Sequence, residues 1–203
     1  NVCRITIKKM KLFSFKEFFS EAMGDSVVFT FGRMNPPTVG HGKLIDKVLS
    51  VAKTSGAKAI IYPSKTEDDN KNPLSFKMKV QVLKDVYGNI VKTDRTVHSP
   101  FHALDKLDDK KVSNVTFVVG SDRVKEFKKN MTSHIKKNLS NIKNFSVVSA
   151  GERDPDASGV SGMSGSKMRS FVQKDKFEKF RKGLLSKNSK LAKKVFSLLK
   201  KKQ

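Results

Sequence analysis

The feature that most constrains the fold is an alternation between short apolar runs and segments with helical spacing. Residues 27–31, 57–62 and 114–120 form largely apolar runs, and residues 89–92 and 145–148 are shorter runs of the same kind. Strands have unbroken apolar sequences when helices cover both faces of a parallel sheet. The pattern therefore predicts a doubly wound α/β domain with a mostly parallel, five-stranded sheet.

The segments between these runs have the periodicity of helices. Apolar residues within 44–52 lie on one helical face, and Gly56 is typical of a helix end. Another helix is predicted to begin at residues 72–73, where a proline follows an asparagine. Further helices are predicted over 101–107 and 122–129, and again towards the C-terminus.

The length of 203 residues is enough for one sizeable core. We predict an N-terminal leader over 1–24, a domain over 25–170 and a basic helical extension over 171–203. Cys3 is the only cysteine, which excludes a disulfide framework or a cysteine-based metal site within the chain. No apolar run approaches the roughly 18 residues of a membrane span, so we expect a cytoplasmic protein without membrane contact.

The charge balance favours polyanionic partners. The chain has 42 Lys and Arg against 19 Asp and Glu, a net charge of +23, which suits nucleotides, nucleic acids or other polyanions. From Lys167 onwards there are 14 basic and two acidic residues, so about half of the excess lies there. The apolar stripe near the C-terminus, Leu191 to Leu199, is flanked by lysines. It predicts either a docked helix with a solvated basic face or a contact with nucleic acid or an anionic surface.

The segment "GRMNPPTVGH", residues 32–41, follows the first predicted strand. In open parallel sheets, ligands bind beyond the carboxyl ends of the strands, and the next helix offers free N–H groups. Gly40 would leave space for a base or ribose, and His41 could donate a hydrogen bond to a phosphate oxygen. Thr38 adds a hydroxyl and Arg33 a charge. A merely capped or surface histidine is the alternative.

A second segment, "MSGSKMRSFV" at residues 163–172, joins a flexible Gly and Ser stretch to a helix. Ser164 and Ser166 supply hydroxyls at the helix start, where backbone N–H groups are also exposed. Arg169, one turn later, could neutralise phosphate charge, and Lys167 could assist. An ordinary serine-capped helix is the alternative.

Together the two segments resemble the signatures of the HxGH nucleotidyltransferase superfamily, with residues 163–172 similar to its I-S-x-T-x-x-R element. Thr38 takes the place of the first histidine, as in phosphopantetheine adenylyltransferases, whereas the "GR" and paired prolines resemble nicotinamide-mononucleotide adenylyltransferases. Residues 72–80 resemble the N-P-F-T-x-x-E-R segment of the latter, although Met78 and Lys79 replace its Glu and Arg. "VVGSDRV" is similar to the Gly-x-Asp that the superfamily commonly has beside the nucleotide.

The resemblance implies a Rossmann-like nucleotidyltransferase. Such an enzyme would transfer a nucleoside monophosphate, in the first instance AMP from ATP, to a phosphorylated acceptor such as nicotinamide mononucleotide, and would release pyrophosphate. The implied catalytic residues are His41 and Thr38 at the α-phosphate and Arg169 at the departing pyrophosphate. The implied nucleotide-binding residues are Gly32, Arg33, Met34, Gly40, Lys43, Gly120, Asp122, Ser164, Ser166 and Lys167. Mg²⁺ is expected with the triphosphate, held by phosphate oxygens and water rather than by protein ligands.

Other interpretations stay open. The protein could be a cytidylyltransferase, or a nucleotide- or nucleic-acid-binding protein that retains the fold without turnover. Residues 12–19 predict a short amphipathic helix; with Glu21 as a cut position, this region also resembles the leaders of internal proteins of large contractile-tailed phages. In that case the protein would lie in the host cytoplasm or the virion. The sequence indicates no oligomeric state.

Overall fold

The computed structural model describes residues 26–152 and 162–202. The predicted leader over 1–24, with its amphipathic pattern at 12–19 and Glu21, lies outside the described residues. The first part of the Gly and Ser stretch before Gly162 also lies outside them.

Four parallel strands form the sheet of the described chain, in the order β2-β1-β3-β4. The strands are β1 (Ser26–Gly32), β2 (Lys58–Pro63), β3 (Asn114–Val119) and β4 (Asn144–Ser149). Phe29 at the centre of β1 lies opposite Ile60 of β2 and Phe117 of β3. The predicted doubly wound α/β fold is confirmed.

The predicted fifth strand over residues 89–92 is wrong. The chain there forms a 3-10 turn, Gly88–Ile90, and Gly88 has a positive φ of 56°. Val91 alone then makes a parallel bridge to Ile61, and the N–H of Lys92 donates to the Ile61 carbonyl at 2.9 Å. Residues 93–96 are polar and exposed, so no apolar side chain directly after Val91 and Lys92 continues the pairing, and the next apolar residue, Val97, is buried outside any strand.

Seven α-helices surround the sheet in the described ranges: α1 (Val39–Ser55), α2 (Phe76–Tyr87), α3 (Pro100–Asp109), α4 (Val124–Asn138), α5 (Gly165–Gln173), α6 (Phe177–Gly183) and α7 (Ser189–Lys200). The helices α1, α2 and α5–α7 pack on one face of the sheet, and α3 and α4 on the other. None of the helices in residues 26–152 and 162–202 is long and apolar enough to cross a membrane.

Two helix predictions need correction. The helix α2 begins after Ser75, whose hydroxyl accepts the N–H of Met78 at 3.4 Å, rather than at residues 72–73. Asn72 instead belongs to a turn in which its N–H donates to Asp68. The helix predicted over 122–129 begins with a 3-10 turn, Ser121–Arg123, and then extends as α4 to residue 138. The second half of α4, which lies outside the predicted bounds, buries a narrow stripe of apolar side chains.

The C-terminal helices contribute to the main core. The side chains of α5, α6 and α7 share a buried cluster with Met34, Ile45 and Leu83 from the first half of the domain. The helix α5 spans the position of the domain boundary predicted at residue 170. The C-terminal region is helical, as predicted, and it packs directly behind the loop that follows β1.

Candidate active site

Thr38 fixes the start of α1. It has extended backbone angles, φ −116° and ψ 163°, and its Oγ1 accepts the N–H of His41 at 3.3 Å. This is the arrangement of an N-cap, which satisfies one of the unpaired N–H groups at the start of a helix. Thr38 is also fully buried, so its hydroxyl is held in one position.

The same cap orients His41. The backbone N–H of Thr38 donates to Nδ1 of His41 at 3.0 Å. A backbone N–H can only donate, so Nδ1 is the acceptor and the neutral imidazole carries its proton on Nε2. The two sequence interpretations of His41 are therefore compatible: it is part of the cap, and the cap determines that Nε2 carries the N–H, a donor of the kind a phosphate oxygen accepts.

The two predicted signatures are in direct contact. Oγ1 of Thr38 donates to the carbonyl of Met163 at 2.9 Å, and Nη1 of Arg169 donates to the carbonyl of Asn35 at 2.8 Å. A Cβ atom on Gly40 would lie 2.6 Å from the Met163 oxygen, and one on Gly165 would lie 2.7 Å from the Asn35 oxygen. Both glycines are thus needed for the two backbones to approach each other.

The reason predicted for Gly40 requires correction. The Met163 carbonyl occupies the space beside this glycine. Gly40 thus lets the first loop, which joins β1 to α1, approach the second loop, which contains Met163 and precedes α5. The missing side chain makes room for this second loop rather than for a base or ribose. Met34 is likewise a core residue: its side chain is buried and its backbone has a positive φ of 44°. Only the backbone of Met34 is therefore a candidate for ligand contact.

Two arginines, Arg33 and Arg169, lie near this contact. Arg33 is exposed, Arg169 is half-buried, and Nη2 of Arg169 donates to Oγ of Ser166 at 3.1 Å. Burial and then the nearby charge of Arg33 lower the pKa of Arg169, while Asp68 acts in the opposite direction. Like charges held close together favour an anion between or beside them.

The start of α5 adds hydrogen-bond donors to this region. Ser164 is the N-cap, and its hydroxyl accepts the N–H of Lys167 at 3.1 Å. Ser166 and Lys167 lie in the first turn, so the positive end of the helix dipole faces the same region as Arg169. Lys43 is exposed on α1, two residues after His41.

Gly120 and Asp122 lie at the same edge of the sheet. The register between β1 and β3 places Phe29 opposite Phe117, so the chain after β3 emerges beside Gly32 at the end of β1. A Cβ atom on Gly120 would lie 2.7 Å from Oδ1 of Asp122. The glycine therefore lets the exposed carboxylate fold back against the backbone.

Residues 29–176 match the family model described as cytidylyltransferase-like. The chain belongs to this family. The matched range includes the end of β1, the other three strands, both loops and α5, and it confirms the superfamily predicted from the two signatures. No curated protein matches the chain.

Solved structures named as nucleotide adenylyltransferases share the fold. A protein from Vibrio parahaemolyticus assigned as a nicotinate-nucleotide adenylyltransferase has a TM-score of 0.54 at 15% identity, over 84% of this chain and 98% of its own. A Plasmodium falciparum nicotinic acid mononucleotide adenylyltransferase gives a TM-score of 0.55 both with NaAD, at 10% identity, and with APC, at 9%. Each of these two covers 85% of this chain and 95% of its own. At such identities the likeness concerns the fold.

In this member of the cytidylyltransferase-like family, Asn35 holds the first loop, and the sequence interpretation missed it. Its Nδ2 donates to the Leu74 carbonyl and its Oδ1 accepts the Leu74 N–H, both at 2.9 Å. The buried side-chain amide of Asn35 thus donates one hydrogen bond to the backbone of Leu74 and accepts one from it. The backbone carbonyl of Asn35 accepts a hydrogen bond from Arg169. An asparagine before a proline in a loop was the only local signal.

Lys79 is a second residue whose role the sequence did not reveal. Its side chain is fully buried, and Nζ donates to the carbonyls of Ser64 and, at 3.0 Å, of Thr66. Burial lowers the pKa of Lys79 to about 8, against the opposing charge of Glu67. The N–H of Ser64 in turn donates to the carbonyl of Gly32 at 2.7 Å, so Lys79 supports the residue at which the first loop begins.

The turn around Asp68 approaches the site from β2. Oδ1 of Asp68 accepts the backbone N–H groups of residues 70, 71 and 72, and the Asn72 amide donates to its Oδ2. These hydrogen bonds, with the Asn72 side chain first, lower the pKa of Asp68 to about 2. The carboxylate therefore remains charged at neutral pH and balances part of the positive charge of Arg169.

Proposed function

We propose that this protein is a nucleotidyltransferase that transfers a nucleoside monophosphate, AMP from ATP in the first instance, to a phosphorylated small-molecule acceptor and releases pyrophosphate. The observation that carries the proposal is the contact between the two loops. It brings an oriented imidazole donor, that of His41, to the same end of the sheet as Arg33 and Arg169. Family membership supports this reaction class.

In the proposed reaction, an oxygen of the acceptor phosphate attacks the α-phosphorus of the triphosphate in line. The bond from that phosphorus to the bridging oxygen breaks, and the electron pair leaves with pyrophosphate. His41 donates its Nε2–H to a non-bridging α-phosphate oxygen, and Thr38 keeps the ring in place. Catalysis then consists of positioning and charge stabilisation, without a covalent enzyme intermediate.

The pyrophosphate side of the site is assigned to the start of α5. Arg169 neutralises the charge that develops on the leaving group, and the backbone N–H groups near Ser164 and Ser166 can donate hydrogen bonds to its oxygens. Arg169 is held by Asn35 and Ser166, so it needs little rearrangement when the triphosphate binds. Arg33, Lys43 and Lys167 are proposed to contact neighbouring phosphates.

We propose that Mg²⁺ enters with the triphosphate. Within residues 26–152 and 162–202, no cluster of three His, Cys, Asp or Glu side chains is arranged to hold a metal ion. Phosphate oxygens and water are suitable Mg²⁺ ligands, and Mg²⁺ keeps several waters in such sites. When bound, the ion would neutralise part of the phosphate charge, alongside the arginines.

The acceptor proposed first is nicotinamide or nicotinate mononucleotide. The Plasmodium falciparum structures that share this fold are named for nicotinic acid mononucleotide. A second candidate donor is CTP, because the matching family is described as cytidylyltransferase-like. The acceptors to compare are therefore the two mononucleotides, phosphopantetheine and glycerol 3-phosphate.

The test measures pyrophosphate release with ATP, and then with CTP, in the presence of Mg²⁺ and each acceptor. His41→Ala removes the assigned donor and should abolish most turnover while the protein stays folded. His134→Gln is the matched control, because this histidine lies on α4 and bonds to Asp105 at 2.6 Å, away from both loops. Absence of turnover with every pair, while ATP still binds, would overturn the proposal and favour a nucleotide-binding protein.

A further inference from the structure

The helix α7 packs one face into the core, and the charged residues of its exposed side are all basic. Its apolar face is buried among the C-terminal helices and α2. The buried residues are Leu191, Ala192, Val195, Phe196 and Leu199. On the opposite side lie five exposed lysines, which we call the α7 lysine face: Lys190, Lys193, Lys194, Lys200 and Lys201.

The chain itself neutralises little of this charge. Residues 162–202 contain 14 Lys and Arg but only two acidic residues. One of these, Glu178, pairs with Arg181 at 2.9 Å, and the other, Asp175, pairs with Lys200 at 2.8 Å. Within the described part of the chain, the other four lysines of the α7 lysine face form no ion pair.

A groove extends the positive surface onto α2. It lies between α2 and the start of α7, has a volume of about 430 Å³, and is lined by Lys84, Lys190 and Lys194 among others. Asp85 also lines it, and its Oδ2 accepts a hydrogen bond from the hydroxyl of Ser186 at 2.5 Å. Three lysines against this one carboxylate leave the groove with an excess of positive charge, as an anion-binding surface requires.

We infer that the α7 lysine face and this groove bind double-stranded nucleic acid through its phosphate backbone. Lysines are point charges suited to phosphate contacts without base recognition. The span from Lys190 to Lys201 is roughly 16 Å at the rise of an α-helix, a length along which a duplex presents several phosphates. This interaction is separate from the proposed transfer reaction and does not depend on it.

The packing of the same helices argues against other polyanions. A helix that binds a membrane surface inserts its apolar face between the lipids, but the apolar face of α7 is already buried in the core. Single strands bind through bases stacked on aromatic side chains. Here Phe180 and Phe196 are buried, and Phe177 packs on Phe196 with ring centroids 5.3 Å apart. The surface thus offers charge without a stacking platform.

The test measures binding of a short labelled DNA duplex by fluorescence anisotropy over a series of salt concentrations. The substitutions K190Q, K193Q and K194Q together should weaken binding and lower the salt-dependence slope by up to roughly 2.7, because each phosphate contact contributes about 0.9. The matched control carries K125Q, K128Q and K129Q, which remove three exposed lysines from α4 on the other face of the sheet. The control should keep the wild-type slope.

An equal loss in both triple variants would overturn the inference, because binding would then reflect net charge alone. Tighter binding to a single strand of the same length, or to phosphatidylserine vesicles at the same salt, would also overturn it. Equal binding of duplex RNA supports it, because the phosphate backbone is common to both duplexes. His41→Ala should bind the duplex as the wild type does, so this test is independent of turnover.

Discussion

The contact between the two loops leads us to predict that Gly40→Ala lowers catalytic activity. The new Cβ atom would lie 2.6 Å from the Met163 carbonyl oxygen. One of the loop backbones must then move by roughly 0.8 Å to restore ordinary contact between non-bonded atoms. A misplacement of about 1 Å costs on the order of 100-fold in rate. We therefore expect kcat/KM for pyrophosphate release to fall by between about 10-fold and 100-fold.

The stability of this variant should change much less than its activity. Residue 40 lies in the first turn of α1, and alanine is favoured over glycine in helices by up to about 1 kcal/mol. The displaced loop acts against this gain, so the free energy of unfolding should stay within about 1 kcal/mol of the wild type. Denaturant unfolding and the kinetic assay together separate the two effects.

Gly42→Ala is the matched control for this experiment. Residue 42 lies on the same helix, but a Cβ atom there would meet the end of the Leu185 side chain, at 3.1 Å, rather than a backbone atom. A side-chain terminus can rotate away, so kcat/KM should remain close to that of the wild type. The reasoning is refuted if Gly40→Ala keeps full activity, or if Gly42→Ala loses as much.

Two further predictions concern the residues that hold the loops. Thr38→Val removes both the helix cap and the hydroxyl bond to Met163, so the free energy of unfolding should fall by about 1–2 kcal/mol, measured with denaturant; an unchanged value would contradict the assigned cap. The pKa of Lys79 is about 8 in the folded protein, against an ordinary value of 10.5. Between these two pH values the unfolded state binds more protons than the folded state. The contribution of Lys79 to the free energy of unfolding therefore rises with pH in this range. Lys79→Met should flatten that rise in unfolding experiments at different pH; the same slope in both proteins would contradict the lowered pKa.

The strands were largely predictable because a local pattern determines them. A strand covered by helices on both faces needs consecutive apolar residues, and β1 and β3 have them. Residues 89–92 have a similar composition, but Gly88 turns the chain and only Val91 reaches the sheet. The difference depends on backbone angles and on neighbours in space, which a short apolar run does not specify.

The candidate site was predictable in its parts but not in its assembly. The positions of Thr38, His41 and Arg169 follow from two short patterns and their resemblance to a family. The reason for Gly40 does not, because its neighbour Met163 is remote in sequence. Lys79 was unpredictable for a related reason: lysines are almost always exposed, and two carbonyl acceptors from a preceding loop make its burial possible.

The contact between the loops also imposes an order on biosynthesis. The first loop, residues 32–41, leaves the ribosome before β2, β3 and β4, and the four described strands are all present once β4 has emerged. Its backbone partner Met163 and the guanidinium of Arg169 follow only with α5. Because chains fold progressively during synthesis, a nascent chain that ends after β4 has the four described strands but not the second half of the proposed nucleotide site. The proposed nucleotide site is therefore completed only after the sheet, once α5 has been synthesised.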